Sequence, residues 1–277
     1  MRFIKMHGLG NDYVYVDGAA ETIDDPAELA RRISDRHTGV GADGLIVIHP
    51  SRVADVRMEM YNADGSRGRM CGNGIRCVAK YAVERGLAKG PDVRVETDSG
   101  VKMCECRIEH GRVQSVRVDM GRPSLAPADL PTTIRADRVV DYPLELRGVT
   151  YETTCVSMGN PHAVVFTEQL HRVDLVGVGP LFEHAPEFPQ RINVHFVRVD
   201  SRTHVTIRTW ERGSGVTRAC GTGACAVCVA GVVTGRTGRC VAAELPGGEL
   251  VLEWAADDDH VYMTGPAVEV FTGDWPE

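Results

Sequence analysis

Two segments of the chain, NADGSRGRMCGNGIRC at residues 62–77 and ERGSGVTRACGTGACA at residues 211–226, share an unusual core. In both, a cysteine is followed by a glycine, a polar residue and a second glycine. Aligning Cys71 with Cys220 sets an offset of 149 residues (220 minus 71), and this offset also matches, without a gap, residues 10–12 with 159–161 and residues 44–47 with 193–196. The sequence therefore predicts two tandem copies of one domain, each about half of the chain.

Within each copy, short runs rich in β-branched and aromatic residues alternate with turn residues, which predicts β-strands. These strands are expected at 3–17, 44–50 and 56–65 in the first copy and at 153–166, 192–199 and 204–213 in the second. A helix is expected directly after each CGxG turn, and the second one, ACAVCVAGVVTG, is apolar on nearly every side, which is typical of a helix buried all round. A hairpin-rich run follows each helix.

The predicted fold class is α/β, with α+β mixed sheets in two pseudo-symmetric tandem domains. Each domain is expected to be a curled sheet or partial barrel around a central helix, with the active site in the cleft between the domains. The predicted domains are residues 1–121, rejoined by a C-terminal strand at 266–277, and residues 122–265. Proline and glycine near residues 121–131 mark the expected joint.

Composition narrows the class of protein. The 277 residues are 43% hydrophobic and 25% charged, which is typical of a soluble globular protein. A formal net charge of −7 gives no basic surface for nucleic acid. The longest uncharged stretch, residues 219–235, is too short and glycine-rich for a membrane span, and the N-terminus has no apolar export signal. We therefore expect a cytoplasmic protein whose nine cysteines, an odd number, are thiols.

A cysteine at the start of a helix is exposed to the positive end of the helix dipole, so its pKa is expected to fall toward neutrality. The glycines that follow allow a carboxylate to approach the backbone N–H groups. Two such turns facing each other would place thiols on opposite sides of one bound anion, as inversion at a carbon next to a carboxylate requires. Only four lysines are available for a Schiff base, which favours chemistry without a cofactor, and no metal site is predicted.

The chain resembles the diaminopimelate epimerases along essentially its whole length. The resemblance rests on nine segments in the family's order: KMHGLGNDYV, TGVGADG, NADGS, MCGNGIRC, SMGNPHAV, IN at 192–193, WERG, ACGTGACA and MTGPAV. It implies a cofactor-independent epimerase that interconverts LL- and meso-diaminopimelate in bacterial lysine and cell-wall synthesis. It also implies a homodimer, although Phe271 stands where some relatives have a tyrosine at the dimer contact.

The resemblance also implies roles for individual residues. Cys71 and Cys220 would be the catalytic thiols, assisted in proton transfer by His162 and Glu211. The carboxylate at the reacting centre would be cradled by Gly72, Asn73, Gly221 and Thr222. The substrate, largely its distal end, would be held by Asn11, Asn62, Asn160, Asn193, Glu211 and Arg212. Arginine suits this task because its guanidinium can bind a carboxylate bidentately.

Two alternative functions remain open at this point, one within the same two-thiol class and one from a different class. A related two-thiol racemase acting on histidine or proline is the nearest alternative, although Asn62, Asn160, Asn193 and Arg212 suit a second amino-carboxylate. Isomerases of the phenazine-biosynthesis type share the duplicated fold but lack the thiol pair. A non-catalytic amino-acid-binding or redox-sensing protein would instead join Cys71 to Cys220 in a reversible disulfide. Four further cysteines are interpreted as core residues: Cys77, Cys155, Cys225 and Cys228. Four histidines without a motif are interpreted as structural: His7, His37, His184 and His195.

Overall fold

The computed structural model describes residues 1–276, so Glu277, the last residue of the predicted strand 266–277, lies outside the described residues. The chain forms two compact units. One contains residues 1–119 together with the chain from Thr264 onward, and the other contains residues 120–263. No helix within residues 1–276 is both long enough and apolar enough to cross a membrane.

The first unit contains nine strands and two α-helices within the described residues. Their bounds are β1 Arg2–Gly8, β2 Asn11–Asp17, α1 Pro26–Ser34, β3 Gly44–Pro50, β4 Val56–Asn62, β5 Arg67–Gly68, α2 Gly72–Glu84, β6 Asp92–Thr97, β7 Gly100–Glu109, β8 Arg112–Asp119 and β18 Val268–Asp274. Strand β2 pairs in parallel with β3, and β4 pairs in parallel with β6. The other pairs are antiparallel, including β1 with β18. The unit is therefore a mixed sheet.

The second unit repeats this order of parallel and antiparallel pairs. Its elements are β9 Tyr142–Leu146, β10 Val149–Ser157, β11 Pro161–Phe166, α3 Leu175–Glu183, β12 Asn193–Ser201, β13 His204–Glu211, β14 Gly215–Thr217, α4 Gly221–Val233, β15 Cys240–Leu245 and β16 Gly248–Trp254, with short 3₁₀ turns at Pro127–Asp129 and Leu170–Arg172. Strand β17, Val261–Pro266, runs across the boundary at residue 263. Strands β11 and β12 are parallel, as are β13 and β15.

The 149-residue offset holds for strand register as well as for sequence. Tyr13 pairs with Gly44 in the first unit, and His162 pairs with Asn193 in the second. Helices α2 and α4 have 13 residues each, and both of their ends are related by the same offset. The expected α/β fold of two similar tandem copies with mixed sheets is thus confirmed.

Each long helix is enclosed by strands of its own unit. Helix α2 packs against β1, β2, β4, β6, β7 and β8, whereas α4 packs against β10, β11, β12, β15 and β16. Nearly every side chain of α4 is buried, as its uniformly apolar sequence predicts. A surrounded helix has little freedom to shift, so the residues at its first turn are held in place by the core.

Two helices were not predicted from the sequence. Helix α1 is short, and only its N-cap, Asp25, which accepts a hydrogen bond from the Glu28 N–H, and Pro26 mark its start. Helix α3 contains two glycines and Pro180, residues that disfavour a helix. It forms because its apolar side, including Leu175 and Phe182, packs into the core of the second unit.

Candidate active site

Cys71 and Cys220 occupy equivalent positions at the starts of α2 and α4. Each is the N-cap residue of its helix, with extended backbone angles: φ −130° and ψ 121° at Cys71, φ −122° and ψ 106° at Cys220. The first helical residues after each cysteine include backbone N–H groups that have no partner within the helix. Each turn can therefore donate hydrogen bonds to an anion close to a thiol.

The second glycine of each turn is required by packing against the neighbouring strand. A Cβ on Gly74 would lie 2.7 Å from Cδ1 of Ile46, and one on Gly223 would lie 2.1 Å from Cε1 of His195. Ile46 and His195 are related by the 149-residue offset. These glycines therefore allow the start of each helix to pack closely against the sheet, whether or not a ligand also approaches them.

Cys71 lies in a polar and partly exposed environment. Its Sγ donates a hydrogen bond to Oδ1 of Asn11 at 3.3 Å and accepts one from the Gly74 N–H at 3.4 Å. The orientation of Asn11 is fixed because its Nδ2 donates to Oδ2 of Asp43 at 2.7 Å. Tyr13 lies beside the thiol, and burial, followed by the negative charge that Cys71 can carry, raises the pKa of this tyrosine well above its usual value.

Cys220 lies in a drier environment. It is 5% exposed, and burial raises the pKa of its thiol well above the ordinary value, with the nearby carboxylate of Glu211 adding to the rise. Its Sγ is 3.8 Å from Oγ1 of Thr222, and Glu211 itself accepts a hydrogen bond from Thr217 at 2.6 Å. The expectation that the helix dipole lowers the pKa of this thiol is wrong, because desolvation and Glu211 outweigh the dipole.

His162 is fully buried next to a second histidine. Its Nδ1 is 2.9 Å from Nε2 of His195, and its Nε2 is 3.0 Å from Oδ1 of Asn160. Burial lowers the pKa of His162 well below the usual value, with His195 and then Arg212 contributing in the same direction. Both imidazoles are therefore neutral at physiological pH.

The residues of the two predicted cradles differ in their side-chain partners. Asn73 is buried, and its Oδ1 accepts a hydrogen bond from Arg76 at 2.9 Å, while the Gly72 carbonyl accepts another from the same guanidinium at 3.0 Å. In the second turn, Thr222 accepts from Nδ2 of Asn160 at 3.4 Å, and Gly221 is buried at the start of α4.

The residues predicted to hold the distal end of the substrate are of two kinds. Some side chains link two segments of backbone, and others are exposed. Asn193 is buried, and its amide donates to the Pro161 carbonyl at 2.8 Å and accepts from the Arg212 backbone N–H at 2.9 Å. The Arg212 side chain is exposed, with a hydrogen bond from Nη1 to the Gln190 carbonyl at 3.0 Å. Asn62, at the end of β4, donates to Ser66 at 2.9 Å. Asn193 thus holds the turn that carries Arg212, a bridging role that the sequence analysis did not include.

One group of side chains within residues 1–276 has the composition and spacing to hold a metal ion. It consists of His162, His195 and Cys220, whose ligand atoms lie within 4.8 Å of one another. Imidazole nitrogen and thiolate sulfur are ligands that suit zinc. Hydrogen bonds within the unit already account for both imidazoles, so the cluster can be understood without an ion.

The core cysteines behave as the sequence analysis predicted. Burial raises the pKa of Cys77 to about 11 and the pKa values of Cys155 and Cys228 to about 12. Thiols with such pKa values are rarely thiolates at neutral pH and are chemically inert.

Comparisons with known proteins identify the family of this chain. A family profile described as Diaminopimelate epimerase matches residues 3–126 and 154–270. A diaminopimelate epimerase of Moorella thermoacetica is 52% identical over 277 residues, which is 100% of this chain and 99% of the relative. That of Acetivibrio thermocellus is 50% identical over 274 residues, covering 99% of this chain and 98% of the relative.

Solved structures share the fold at much lower identity. A hydroxyproline epimerase from Agrobacterium vitis matches with a TM-score of 0.71 at 19% identity, covering 99% of this chain and 90% of that one. A phenazine biosynthesis protein from Bacillus anthracis matches with a TM-score of 0.70 at 16% identity, covering 99% and 98%. Because the profile and the close relatives span nearly the whole sequence, the chain belongs to the diaminopimelate epimerase family of isomerases.

Proposed function

We propose that the protein interconverts LL- and meso-diaminopimelate by a two-base proton transfer between Cys71 and Cys220. The observation that carries this proposal is the duplicated turn: in a chain of this family, two cysteines occupy equivalent N-cap positions, each next to backbone N–H donors. The same two turns supply a pair of proton-transferring groups and a pair of anion-binding sites.

The reaction needs one thiolate and one thiol. The thiolate removes the α-proton, so that an S–H bond forms, the C–H bond breaks, and the electron pair spreads onto the α-carboxylate. The opposite thiol then gives its proton to the other face of the carbon. At the end the two sulfurs have exchanged protonation states and the stereochemistry is inverted. The mechanism requires both sulfurs to reach one α-carbon from opposite faces.

The surroundings of the thiols support a division of labour. Asn11 accepts a hydrogen bond from the protonated thiol of Cys71. This contact suits Cys71 to the role of proton donor. Glu211 lies close enough to Cys220 to influence its pKa, so its carboxylate can accept the proton when the second thiolate forms. His162, buried and neutral, assists as a further hydrogen-bonding group. The backbone N–H groups at Gly72, Asn73, Gly221 and Thr222 would stabilise the charge on the carboxylate.

We assign substrate selectivity to the residues that would bind the distal amino-carboxylate of the substrate. Arg212 offers an exposed guanidinium at the end of the turn held by Asn193. Asn11, Asn62 and Asn160 offer amides that can serve both an ammonium and a carboxylate.

We further infer that the enzyme acts without a cofactor, in the cytoplasm, in the synthesis of lysine and peptidoglycan precursors. A homodimer is proposed through the face of β18, where Val270 is 54% exposed and Phe271 is 46% exposed. Light scattering on the purified chain would show twice the monomer mass if this is correct, and a monomer would reject it.

The decisive experiment is exchange of the α-proton in D2O. With LL-diaminopimelate, NMR should show loss of the α-proton signal together with the appearance of the meso isomer, without added cofactor. Absence of exchange in reduced protein would favour a binding or redox-sensing role. Faster exchange with histidine or proline than with diaminopimelate would assign the enzyme to the related racemases.

A further inference from the structure

A buried chain of hydrogen bonds runs behind the second turn. Oγ1 of Thr209 lies 2.9 Å from Nδ1 of His195, whose Nε2 lies 2.9 Å from Nδ1 of His162. The chain continues from Nε2 of His162 to Oδ1 of Asn160 at 3.0 Å. Both histidines are 0% exposed and Thr209 is 3% exposed. Polar groups in such a dry environment must satisfy one another.

The chemistry of the two ends gives this chain a direction. Oδ1 of Asn160 can only accept, and the amide is turned so that its Nδ2 donates to Thr222. Nε2 of His162 must therefore carry the proton, which leaves Nδ1 as an acceptor in a neutral ring. His195 must then donate from Nε2, and its Nδ1 accepts from the Thr209 hydroxyl. With this arrangement of protons, each group donates to the next, from the Thr209 hydroxyl to Oδ1 of Asn160, and every hydrogen bond is formed.

Neutrality of the two rings supports this arrangement. Burial lowers the pKa of His195 to about 3 and holds the pKa of His162 well below its usual value. Neither ring carries a second proton near pH 7, so each has one donor and one acceptor nitrogen.

Packing fixes the ring of His195 in the donating position. Strand β12 places His195 between Val164 of β11 and Thr209 of β13. The ring lies so close to Gly223 that a Cβ there would come within 2.6 Å of Nε2. The equivalent residue of the first unit is the apolar Ile46, which offers no hydrogen bond, so the arrangement is specific to the second unit.

We propose that His195 is a positioning residue that, together with Asn160, holds His162 in the tautomer protonated at Nε2. By donating from Nε2 to Nδ1 of His162, it keeps the His162 proton on Nε2, where it holds Asn160 and, through Asn160, the hydroxyl of Thr222. The inference rests on the proposed function, in which these three residues serve the substrate. Without the donor, the proton of His162 can move to Nδ1, and Nε2 would then repel Oδ1 of Asn160.

The test combines a tautomer measurement with kinetics. In ¹⁵N-labelled protein, long-range ¹H–¹⁵N correlation at pH 7 should show His162 protonated at Nε2 and bare at Nδ1, with the signal assigned by its loss in His162→Gln. His195→Ile, which installs the residue of the first unit, should move a measurable fraction of the His162 proton to Nδ1, because one of the two contacts that favour Nε2 is lost. It should also lower kcat/KM for α-proton exchange by about tenfold or more.

Two further variants separate positioning from a merely structural role. His195→Gln retains an N–H donor near the position of Nε2 and should keep the His162 tautomer, with kcat/KM within about threefold of wild type. Val194→Ala, the matched control, trims the neighbouring buried residue of β12 and should lower stability while leaving both the tautomer and kcat/KM unchanged.

The outcomes separate this inference from the proposed function. A His162 proton on Nδ1 in the wild type, or an unchanged tautomer in His195→Ile, would overturn the inference even if the enzyme epimerised diaminopimelate. Absence of exchange in the wild type with the expected tautomer would instead reject the proposed function. If His195→Ile fails to fold, His195→Ala and His195→Leu also remove the donor to Nδ1 of His162, and an unchanged His162 tautomer in either variant also overturns the inference.

Discussion

Cys71 and Cys220 begin helices of equal length at equivalent positions, yet the two units surround them differently. Cys71 is partly exposed and donates to an amide, whereas Cys220 is buried next to a carboxylate that raises its pKa. Tyr13 of the first unit corresponds to His162 of the second, and Ile46 corresponds to His195. The backbone repeat supplies two similar helix-start turns, and the side chains around them make one thiol unlike the other.

The largest expected effect tests whether both thiols are needed despite this difference. Cys71→Ala and Cys220→Ala should each lower epimerisation by about 10³-fold or more, because either change removes one of two proton-transferring groups. Cys228→Ala, which changes a buried cysteine on α4, should leave turnover largely intact. Chiral chromatography of the products gives the rate, and near-normal turnover in either of the first two variants would refute the two-base mechanism.

The next effect concerns a residue that only the second unit has. The counterpart of Arg212 is Ala63, so the first unit has no guanidinium at the equivalent position. Arg212→Met should lower kcat/KM for diaminopimelate by about 100-fold, the equivalent of about 3 kcal/mol, because a charged hydrogen bond is lost. Slow exchange of a monocarboxylic amino acid should be nearly unchanged in this variant.

Arg218→Met, which changes an exposed arginine near the same turn, is the matched control for this measurement. If both arginine variants lose activity equally, or if Arg212→Met affects both substrates alike, then Arg212 does not hold the distal carboxylate.

A smaller effect is expected in the rates at which the two thiols are alkylated. At pH 8, iodoacetamide should alkylate Cys71 at least about tenfold faster than Cys220, because each unit by which a thiol pKa rises above the solution pH lowers its thiolate fraction tenfold. Burial of Cys220 acts in the same direction. Mass spectrometry of peptides from a time course gives both rates, and equal rates would contradict the difference between the sites.

Glu211→Gln sharpens this measurement. Removing the negative charge should lower the pKa of Cys220 and raise its alkylation rate by several-fold, while the rate at Cys71 serves as the internal reference. A rate at Cys220 that stays the same would assign the raised pKa to burial alone.

The smallest effect is a difference in the free energy of unfolding between two variants, each of which replaces the second glycine of one turn by alanine. Gly74→Ala pushes against the flexible end of Ile46, whereas Gly223→Ala pushes against the rigid ring of His195. Both should be destabilising, and Gly223→Ala should cost about 1 kcal/mol more in free energy of unfolding. Urea unfolding of both variants measures this, and an equal loss would show that His195 can move aside.

Much of the fold could be predicted from the sequence because the repeat is visible in it. Strand registers and both long helices follow the same offset that aligns Cys71 with Cys220. Helix α3 could not be predicted from its own residues, since Gly177, Gly179 and Pro180 disfavour a helix. Its bounds nevertheless follow the same offset from α1, and both its N-cap, Asp174, and tertiary packing stabilise it.

The candidate site shows a similar limit. The helix-start position of Cys220 could be predicted, but its raised pKa depends on burial and on the direction of the Glu211 side chain, which no motif encodes. His195 has no motif of its own. The pairing of the two strands could nevertheless have pointed to His195. Asn193 pairs with His162, and His195, two positions further along β12, lies on the same face of the sheet. Asp43 and Thr209 act through partners distant in sequence, so they could not be recognised without the structure.

The first unit is discontinuous in the chain: β1, near the N-terminus, pairs with β18, which begins at Val268. During synthesis, the second unit is complete once residue 263 has emerged from the ribosome, while the first still lacks β18. The hydrogen-bonding edge of β1 therefore stays open through most of translation, and a chain arrested before β18 carries an unprotected strand that can pair with other chains. Removing β18 should thus cause aggregation by way of the first unit, even though most of that unit is made before the second.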